Sequence, residues 1–169
     1  ISRARALAPL LKQLGVEVTY LFSGRESKDF FDMEAFGDYK VKAGLTFQSS
    51  NGSLDLFKTL IKVKTIQFIK DVKGIDLTQY DLFVSDFEPI VAWAAKLSGR
   101  ECIGIGHQYA FSFDIPRYKS QWAAYLFKWF APSNKQVGLH WSHFNYPILP
   151  PIVLSHDAKS SVDPRKVLV

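Results

Sequence analysis

Residues 81–89 read Asp-Leu-Phe-Val-Ser-Asp-Phe-Glu-Pro. The apolar run that ends at Ser85 is typical of a buried strand. Pro89 suits the first turn of a helix, because the N–H that proline lacks has no intrahelical partner there. A helix to about Leu97 follows, and Gly99 ends it. The stretch therefore predicts a β-strand that leads directly into an α-helix, with polar residues at the junction.

The same alternation of strands and helices extends along the chain in both directions. Helices are predicted over residues 2–14, 29–36, 54–72 and 121–130, and strands over residues 16–22, 39–41, 101–105 and 137–141. Strands that alternate with helices indicate right-handed βαβ units. These strands are apolar throughout, as is usual when helices cover both faces of a sheet. We therefore expect an α/β fold, with a Rossmann-like parallel sheet and helices on both faces.

Composition narrows the class of protein. The chain has 169 residues, of which 47% are hydrophobic and 22% charged, and these values fit one globular domain with a full core. The net charge is +5, but the basic residues are scattered, so we do not expect a nucleic-acid partner.

Cys102 is the single cysteine, which excludes an internal disulfide and favours a reducing compartment such as the cytoplasm. Because it stands in an apolar segment, we expect Cys102 to be a small buried core residue.

Polar residues follow three of the predicted strands, at residues 23–25, 85–88 and 106–108. The carboxyl ends of parallel strands meet at one edge of a sheet, where open α/β sheets bind ligands. Asp86 stands directly after a strand, where a carboxylate is able to orient a histidine base and stabilise its imidazolium form. The alternative is that Asp86 caps the helix that begins near Pro89. The spacing leaves both interpretations open.

Further candidates lie in the same loops and at the first helix. Three interpretations of His107 are open: a base, a ligand for an anionic group, or a structural residue. Gly104 and Gly106 stand beside it and indicate tight backbone packing next to a ligand. Two interpretations of Arg25 are open: a side chain that binds a phosphate or carboxylate, or a solvated loop charge. The pair Ser2-Arg3 opens a helix, whose N-terminus favours anions.

No metal site is predicted. His140 and His143 are spaced i, i+3, but zinc needs further ligands, and no cysteine or carboxylate cluster stands nearby in the sequence. A structural role is therefore the interpretation we adopt for both histidines.

Two segments have the composition of an interfacial surface. The predicted helix over residues 54–72 carries several lysines, and residues 122–130 are rich in aromatic side chains. Lysines beside aromatic residues are typical of peripheral contact with a membrane. The alternative is core packing with a solvated basic face.

Several segments resemble a known family. They are residues 1–11 (Ile-Ser-Arg-Ala-Arg-Ala-Leu-Ala-Pro-Leu-Leu), 21–25 (Leu-Phe-Ser-Gly-Arg), 80–89 (Tyr-Asp-Leu-Phe-Val-Ser-Asp-Phe-Glu-Pro) and 103–111 (Ile-Gly-Ile-Gly-His-Gln-Tyr-Ala-Phe). They resemble the N-terminal half of GT-B glycosyltransferases. The closer likeness is to a prokaryotic group related to UDP-glucuronosyltransferases and to the peptidoglycan N-acetylglucosaminyl transferase.

The resemblance implies a domain organisation. Residues 1–146 are expected to form an acceptor-side Rossmann-like domain, residues 147–163 an interdomain linker, and residues 164–169 the start of a nucleotide-sugar-binding domain. The first strand of the fold and a Gly-His loop are expected to precede Ile1. The chain by itself is therefore expected to be inactive.

The resemblance also implies an activity, which is transfer of a sugar from a nucleotide-sugar donor such as a UDP-sugar to an acceptor hydroxyl, including a lipid-linked one. Asp86 is the expected catalytic residue, as the carboxylate that orients the histidine before Ile1. The residues expected to contact the acceptor are Ser2, Arg3, Arg25, Glu88, His107 and Gln108. Neither a cofactor nor a metal is implied, and the expected location is cytoplasmic, peripheral at the inner face of the membrane. The alternatives are a nucleotide-sugar epimerase of the same fold and a non-catalytic sugar- or lipid-binding module.

Overall fold

The computed structural model describes residues 1–44, 49–50, 53–54, 65–116 and 121–154 of the chain. Its elements are α1 (Ser2–Gln13), β1 (Tyr20–Ser23), β2 (Tyr39–Lys42), β3 (Ser49–Ser50), β4 (Ser53–Leu54), α2 (Thr65–Lys73), β5 (Phe83–Ser85), α3 (Pro89–Leu97), β6 (Cys102–Gly106), α4 (His107–Ala110), α5 (Gln121–Phe130) and β7 (Lys135–Gly138). Helices and strands alternate as predicted from α2 to α4, and the α/β class is confirmed.

The strands form two parallel sheets rather than one continuous sheet in the described part of the chain. β1 pairs with β2, and the second sheet has the order β5-β6-β7. The short β3 and β4 form a separate antiparallel pair, and the two residues between them, Asn51 and Gly52, lie outside the described ranges. All pairing within the two main sheets is parallel, so their carboxyl ends gather polar loops at a shared edge.

The largest core lies between the three-stranded sheet and helices α2 and α3. Phe83 and Cys102 project from one face of the sheet onto Ile90 and Ala94 of α3. Cys102 is 1% exposed, which confirms the predicted buried position, and burial raises the pKa of its thiol to about 11. A thiol in this state is a packing group rather than a nucleophile.

Glycines in β6 allow helix α4 to lie directly against the strand. A Cβ atom at Gly104 would stand 2.4 Å from the Cζ atom of Tyr109. The Tyr109 hydroxyl donates to the carbonyl of Ala131 at 3.0 Å, which holds its ring in that place. Gly104 therefore sets how closely the chain after β6 approaches the sheet.

A second, smaller core lies under α1, where Ala8 packs against Met33 and Phe36. The helix predicted over residues 29–36 is wrong, because this segment forms two short 3₁₀ turns, Ser27–Asp29 and Glu34–Phe36. The Arg5 guanidinium binds the backbone carbonyls of Phe31 and Asp32, two of the four residues between these turns, and Asp32 has a φ of 51°. Carbonyls committed to Arg5 are not available to continue a helix.

Four other predicted boundaries differ from the structure. β1 begins at Tyr20 rather than at residue 16, and β7 spans Lys135–Gly138 rather than 137–141. A helix was predicted over residues 54–72, but Leu54 belongs to β4. Helix α2 begins at Thr65, and residues 55–64 lie outside the described ranges. His107 begins helix α4, although residues 106–108 were predicted as a loop.

The segment after β7 contacts the domain. The amide of His140 donates to the Leu149 carbonyl at 2.9 Å, and the amide of Leu149 donates to the Gly138 carbonyl at 2.9 Å. Ile148 is buried beside Ala110. The first part of the predicted 147–163 linker thus packs on the domain. Residues 155–169, which include the predicted start of a second domain, lie outside the described ranges.

The Gly104 contact gives a stability prediction. We expect Gly104→Ala to lower the free energy of unfolding by about 1–3 kcal/mol, because the new methyl group displaces the Tyr109 ring. Chemical denaturation measures the change. Ser98→Ala, at the exposed end of α3, serves as the control and should stay within about 0.5 kcal/mol of the parent. An unchanged midpoint for Gly104→Ala would contradict the contact.

Candidate active site

The carboxyl edge of the sheets brings together residues from three parts of the chain. Asp86 and Glu88 follow β5, His107 follows β6, and Ser23 ends β1. Arg3 reaches the same place from the first turn of α1. The convergence predicted from three separate strand ends is therefore present, and α1 adds a cation to it.

Asp86 forms an ion pair with Arg3. The Arg3 Nε atom donates to Asp86 Oδ1 at 2.8 Å, and Nη2 donates to the same oxygen. The side chains of Arg3 and Asp86 are 28% and 32% exposed, so the pair is half-buried and accessible from the surface. In the described part of the chain, Asp86 Oδ2 accepts no hydrogen bond. One carboxylate oxygen is thus held by Arg3, and the other is open to a ligand.

Glu88, not Asp86, caps helix α3. Its Oε1 atom accepts from the Ile90 amide at 2.9 Å and its Oε2 atom accepts from the Val91 amide at 2.8 Å. The Ser23 hydroxyl of β1 donates to Oε1 at 2.6 Å. Packing around the carboxyl group raises the pKa of Glu88, and these three hydrogen bonds act in the opposite direction. The capping alternative for Asp86 is therefore wrong.

Phe87, between the two carboxylates, is a site residue that the sequence analysis missed. Its φ is 52°, a left-handed conformation that is costly for a residue with a bulky side chain. Its ring packs against Tyr109, Phe127 and Phe130, with centroids 5.1–5.8 Å apart. This packing stabilises the reversal of the backbone that points Asp86 and Glu88 in different directions. A phenylalanine between two acidic residues directly after a strand was the available signal.

His107 lies at the exposed start of α4 and interacts electrostatically with Asp86 and Arg3. Desolvation lowers the pKa of His107, the positive charge of Arg3 lowers it further, and the Asp86 carboxylate acts in the opposite direction. The neutral imidazole is therefore favoured at neutral pH, and it is able to accept a proton or a hydrogen bond.

Gln108 carries a buried oxygen without a partner among the described residues. Its Oε1 atom receives no hydrogen bond there, and a Cβ atom at Gly106 would stand 2.8 Å from it. Gly106 therefore allows the Gln108 amide to lie against the floor of the site. An unsatisfied buried acceptor is costly, and a ligand donor at this position would relieve the cost.

The remaining predicted site residues are at the rim. Ser2 is the exposed first residue of α1, and Arg25 is exposed in the loop after β1. Arg25 forms no ion pair within the described ranges. Its role and that of Ser2 in binding an acceptor stay predictions.

His140 and His143 have structural partners. His140 Nδ1 accepts from the Ser142 amide at 3.1 Å, and His143 Nδ1 accepts from the Asn145 amide at 2.9 Å. Each histidine thus has a local structural partner. Across the described ranges, no three His, Cys, Asp or Glu side chains converge as metal ligands. No helix within these ranges is long and apolar enough to span a bilayer.

The Glu88 cap makes a prediction about stability and its pH dependence. We expect Glu88→Ala to cost about 1–2 kcal/mol, because α3 loses its cap. Glu88→Gln should cost less near neutral pH. Because the pKa of Glu88 is raised above 4.5 in the folded state, the parent should lose stability relative to Glu88→Gln as the pH rises from about 4.5 through the folded pKa. Thermal unfolding across pH measures both variants, and a difference that does not vary with pH would contradict the assignment.

Comparison with known proteins identifies no relative of this chain. No family model, no curated protein and no solved structure matches the chain significantly.

Proposed function

We propose that this chain forms the acceptor-binding half of a glycosyltransferase, which moves a sugar from a nucleotide-sugar donor to an acceptor hydroxyl. The observation that carries the proposal is the Asp86 carboxylate, half-exposed at the carboxyl edge, with Oδ1 held by Arg3 and Oδ2 open. Ligands of open α/β sheets bind at this edge. A carboxylate of fixed orientation with one open oxygen is suited to orienting a catalytic base.

The position of α1 supports the proposed role of Asp86. Arg3, in the first turn of α1, touches Asp86, so a residue immediately upstream of α1 would also lie near this carboxylate. The family that the chain resembles has its base histidine in the loop before this helix. In the proposed mechanism that histidine removes the acceptor proton, and Asp86 accepts its Nδ1–H and stabilises the imidazolium.

The neighbours of Asp86 suit an acceptor that carries hydroxyl and anionic groups. Arg3 beside Asp86, and Arg25 exposed at the rim, offer positive charge, and a neutral His107 and the Gln108 oxygen offer hydrogen-bond acceptors. Glu88 contributes less directly, because Ser23 and two helix amides already occupy its carboxylate. We propose that Glu88 positions the loop while the other four residues contact the acceptor.

The proposal predicts the effect of Asp86→Asn in a polypeptide that joins this chain to its donor domain. We expect turnover to fall by roughly 10²–10⁴-fold, because an amide neither fixes the histidine tautomer nor stabilises its positive charge. The assay follows transfer of labelled sugar from UDP-sugars to hydroxyl acceptors, and circular dichroism checks the fold.

Glu101→Gln is the matched control, since it makes the same chemical change at the amino end of β6 and removes only an exposed pair with Lys135. Its turnover should equal that of the parent. Near-normal turnover in Asp86→Asn would contradict the proposal. A free sugar isomer as the product would favour the epimerase alternative, and acceptor binding without any turnover would favour a non-catalytic binding module.

A second observation favours peripheral contact with a membrane. Exposed apolar residues and lysines share a surface formed by α2, α3 and α5, which we term the basic-aromatic face. Its members are Ile66, Ile69, Lys70, Lys73, Lys96, Leu97, Tyr125, Lys128 and Trp129. On α2 and α5 these residues recur at spacings of three and four, so they lie on one side of each helix.

An apolar groove joins the three helices within this face. It has a volume of about 240 Å³, and Ile69, Leu97 and Trp129 line it. The Trp93 indole donates to the Trp129 carbonyl at 3.0 Å, and Lys96 Nζ lies 4.9 Å from the Trp93 ring centroid. Tryptophans and lysines around an apolar groove suit the interface of an anionic bilayer. We propose that this face holds the protein at the inner face of the membrane, near a lipid-linked acceptor.

Vesicle co-sedimentation tests the basic-aromatic face. The parent should bind phosphatidylglycerol vesicles at low salt and release them at high salt. Lys70→Gln with Lys73→Gln should weaken binding by at least about tenfold, since each lysine near an anionic surface contributes about 1 kcal/mol. Trp129→Ala should also weaken it, whereas Trp141→Ala, an 86% exposed tryptophan outside this face, should not. Equal binding to neutral phosphatidylcholine vesicles would contradict the proposal.

A further inference from the structure

A second groove adjoins the candidate active site and is formed by α4, α5, β7 and the residues just after α4. It has a volume of about 370 Å³, within the range of roughly 300–1,000 Å³ that is usual for small-molecule sites. Two aromatic rings, two side-chain amides, a hydroxyl and a cation line it: Phe111, Phe127, Gln108, Gln136, Ser112 and Lys128. The groove therefore combines an apolar wall with a few polar groups, as ligand pockets do.

The apolar wall of the groove consists of two phenylalanine rings. The Phe111 and Phe127 rings lie 22° from parallel, with their centroids 6.4 Å apart. The Phe127 ring also packs against Phe87 at 5.6 Å, and the Phe111 ring packs against His107 at 6.4 Å. Because these neighbours hold both rings in place, a ligand that packs on them loses little affinity to side-chain ordering. Such a wall suits the C–H groups on one face of a sugar ring.

Gln108 carries hydrogen-bonding groups that no described residue satisfies. Its Oε1 atom is buried without a donor, and its Nε2 atom donates no hydrogen bond in the described part of the chain. A buried acceptor in this state is costly until a ligand supplies a donor. A hydroxyl group is able to donate to Oε1 and also to accept from Nε2. Gln108 is therefore suited to a ligand that carries hydroxyl groups.

Gln136, on β7, adds a further donor to the groove. The Ser112 hydroxyl donates to Gln136 Oε1 at 2.7 Å, which occupies the amide oxygen and fixes the orientation of the amide. The Nε2 atom of Gln136 has no acceptor among the described residues. Two amides on different elements thus offer both donors and an acceptor, which is the combination that adjacent hydroxyl groups of a sugar require.

Lys128 supplies the positive charge of the groove. Its side chain is exposed on α5 and forms no ion pair with a described residue. An ammonium group is a compact point charge that binds phosphate oxygens without the fork geometry of arginine. The described residues that line the groove include no carboxylate, so an anionic group meets no repulsion from them.

We propose that this groove binds a hexose 6-phosphate. The sugar ring packs on the two phenylalanine rings, and its hydroxyls bond to the amides of Gln108 and Gln136. A phosphate on the exocyclic carbon is able to reach the exposed Lys128 while the ring stays on the aromatic wall. Gln108 is the one lining residue named above that the proposed acceptor site also uses. The proposal is separate from sugar transfer, since binding needs neither a donor nor a base.

Calorimetric titration of this chain with the 6-phosphates of glucose, mannose and galactose tests the proposal. At least one of them should bind at low salt with a Kd of about 1 mM or tighter. The corresponding free hexose and inorganic phosphate should each bind at least about fivefold more weakly, because each lacks part of the contacts. No binding of any hexose 6-phosphate, equal binding of inorganic phosphate, or tighter binding of adenosine 5′-monophosphate would overturn the proposal.

A charge variant separates binding in the groove from non-specific attraction. Lys128→Gln should weaken binding of the hexose 6-phosphate about two- to fivefold, as expected for an exposed ion pair. Lys12→Gln makes the same chemical change at an exposed position of α1 outside the groove, so its affinity should equal that of the parent. Equal affinities in the two variants would overturn the assignment of the phosphate to Lys128.

Gln108→Met tests the orphaned amide, because it keeps the length of the side chain and removes its polar groups. Binding should weaken about three- to tenfold, as expected for lost hydrogen bonds. The midpoint of chemical denaturation should not fall, since Oε1 has no partner to lose in the free protein. Binding equal to that of the parent would overturn the proposal. A lower midpoint would show a structural partner for Oε1 and would overturn the assignment of this oxygen to the ligand.

Discussion

The hydrogen bond between Ser23 and Glu88 is the contact on which the arrangement of the site depends. It joins the end of β1 to the residue that caps α3, and so it connects the two parallel sheets at their carboxyl edge. The same carboxylate satisfies two amides at the start of α3. Because Asp86 is only two residues before Glu88, any movement of this contact would also displace the Arg3–Asp86 pair.

The two carboxylates after β5 have different roles because their partners differ. Glu88 binds a hydroxyl and two backbone amides, whereas Asp86 binds the side chain of Arg3 and keeps one oxygen open. The left-handed turn at Phe87 separates them, and three aromatic rings hold that turn in place. Backbone strain that is stabilised by packing next to a polar group is typical of a functional site.

Local patterns predicted the elements better than the contacts between them. Pro89 and the apolar run before it predicted β5 and α3, because strand and helix signals there are local and strong. The segment over 29–36 was mispredicted, since Arg5, which is distant in sequence, binds its carbonyls. For the same reason the spacing could not decide whether Asp86 or Glu88 caps α3: both precede Pro89, and only the three-dimensional turn selects one. The partition into two sheets likewise depends on pairing between strands, which no single segment encodes.

The presence of two separate cores has a consequence for how the molecule responds to stress. One core packs α2 and α3 on β5 and β6, and the other packs α1 on the segment around Met33 and Phe36. No backbone ladder joins the two sheets in the described ranges; the side chain of Leu21 in β1 packs against the larger core, and the Ser23–Glu88 hydrogen bond joins the carboxyl edge. Cooperativity depends on the interface between such units, and a weak interface allows one unit to open while the other stays folded. Separation of the half that carries α1 and Arg3 from the half that carries Asp86 would break the ion pair, so this pair would report the integrity of the whole domain.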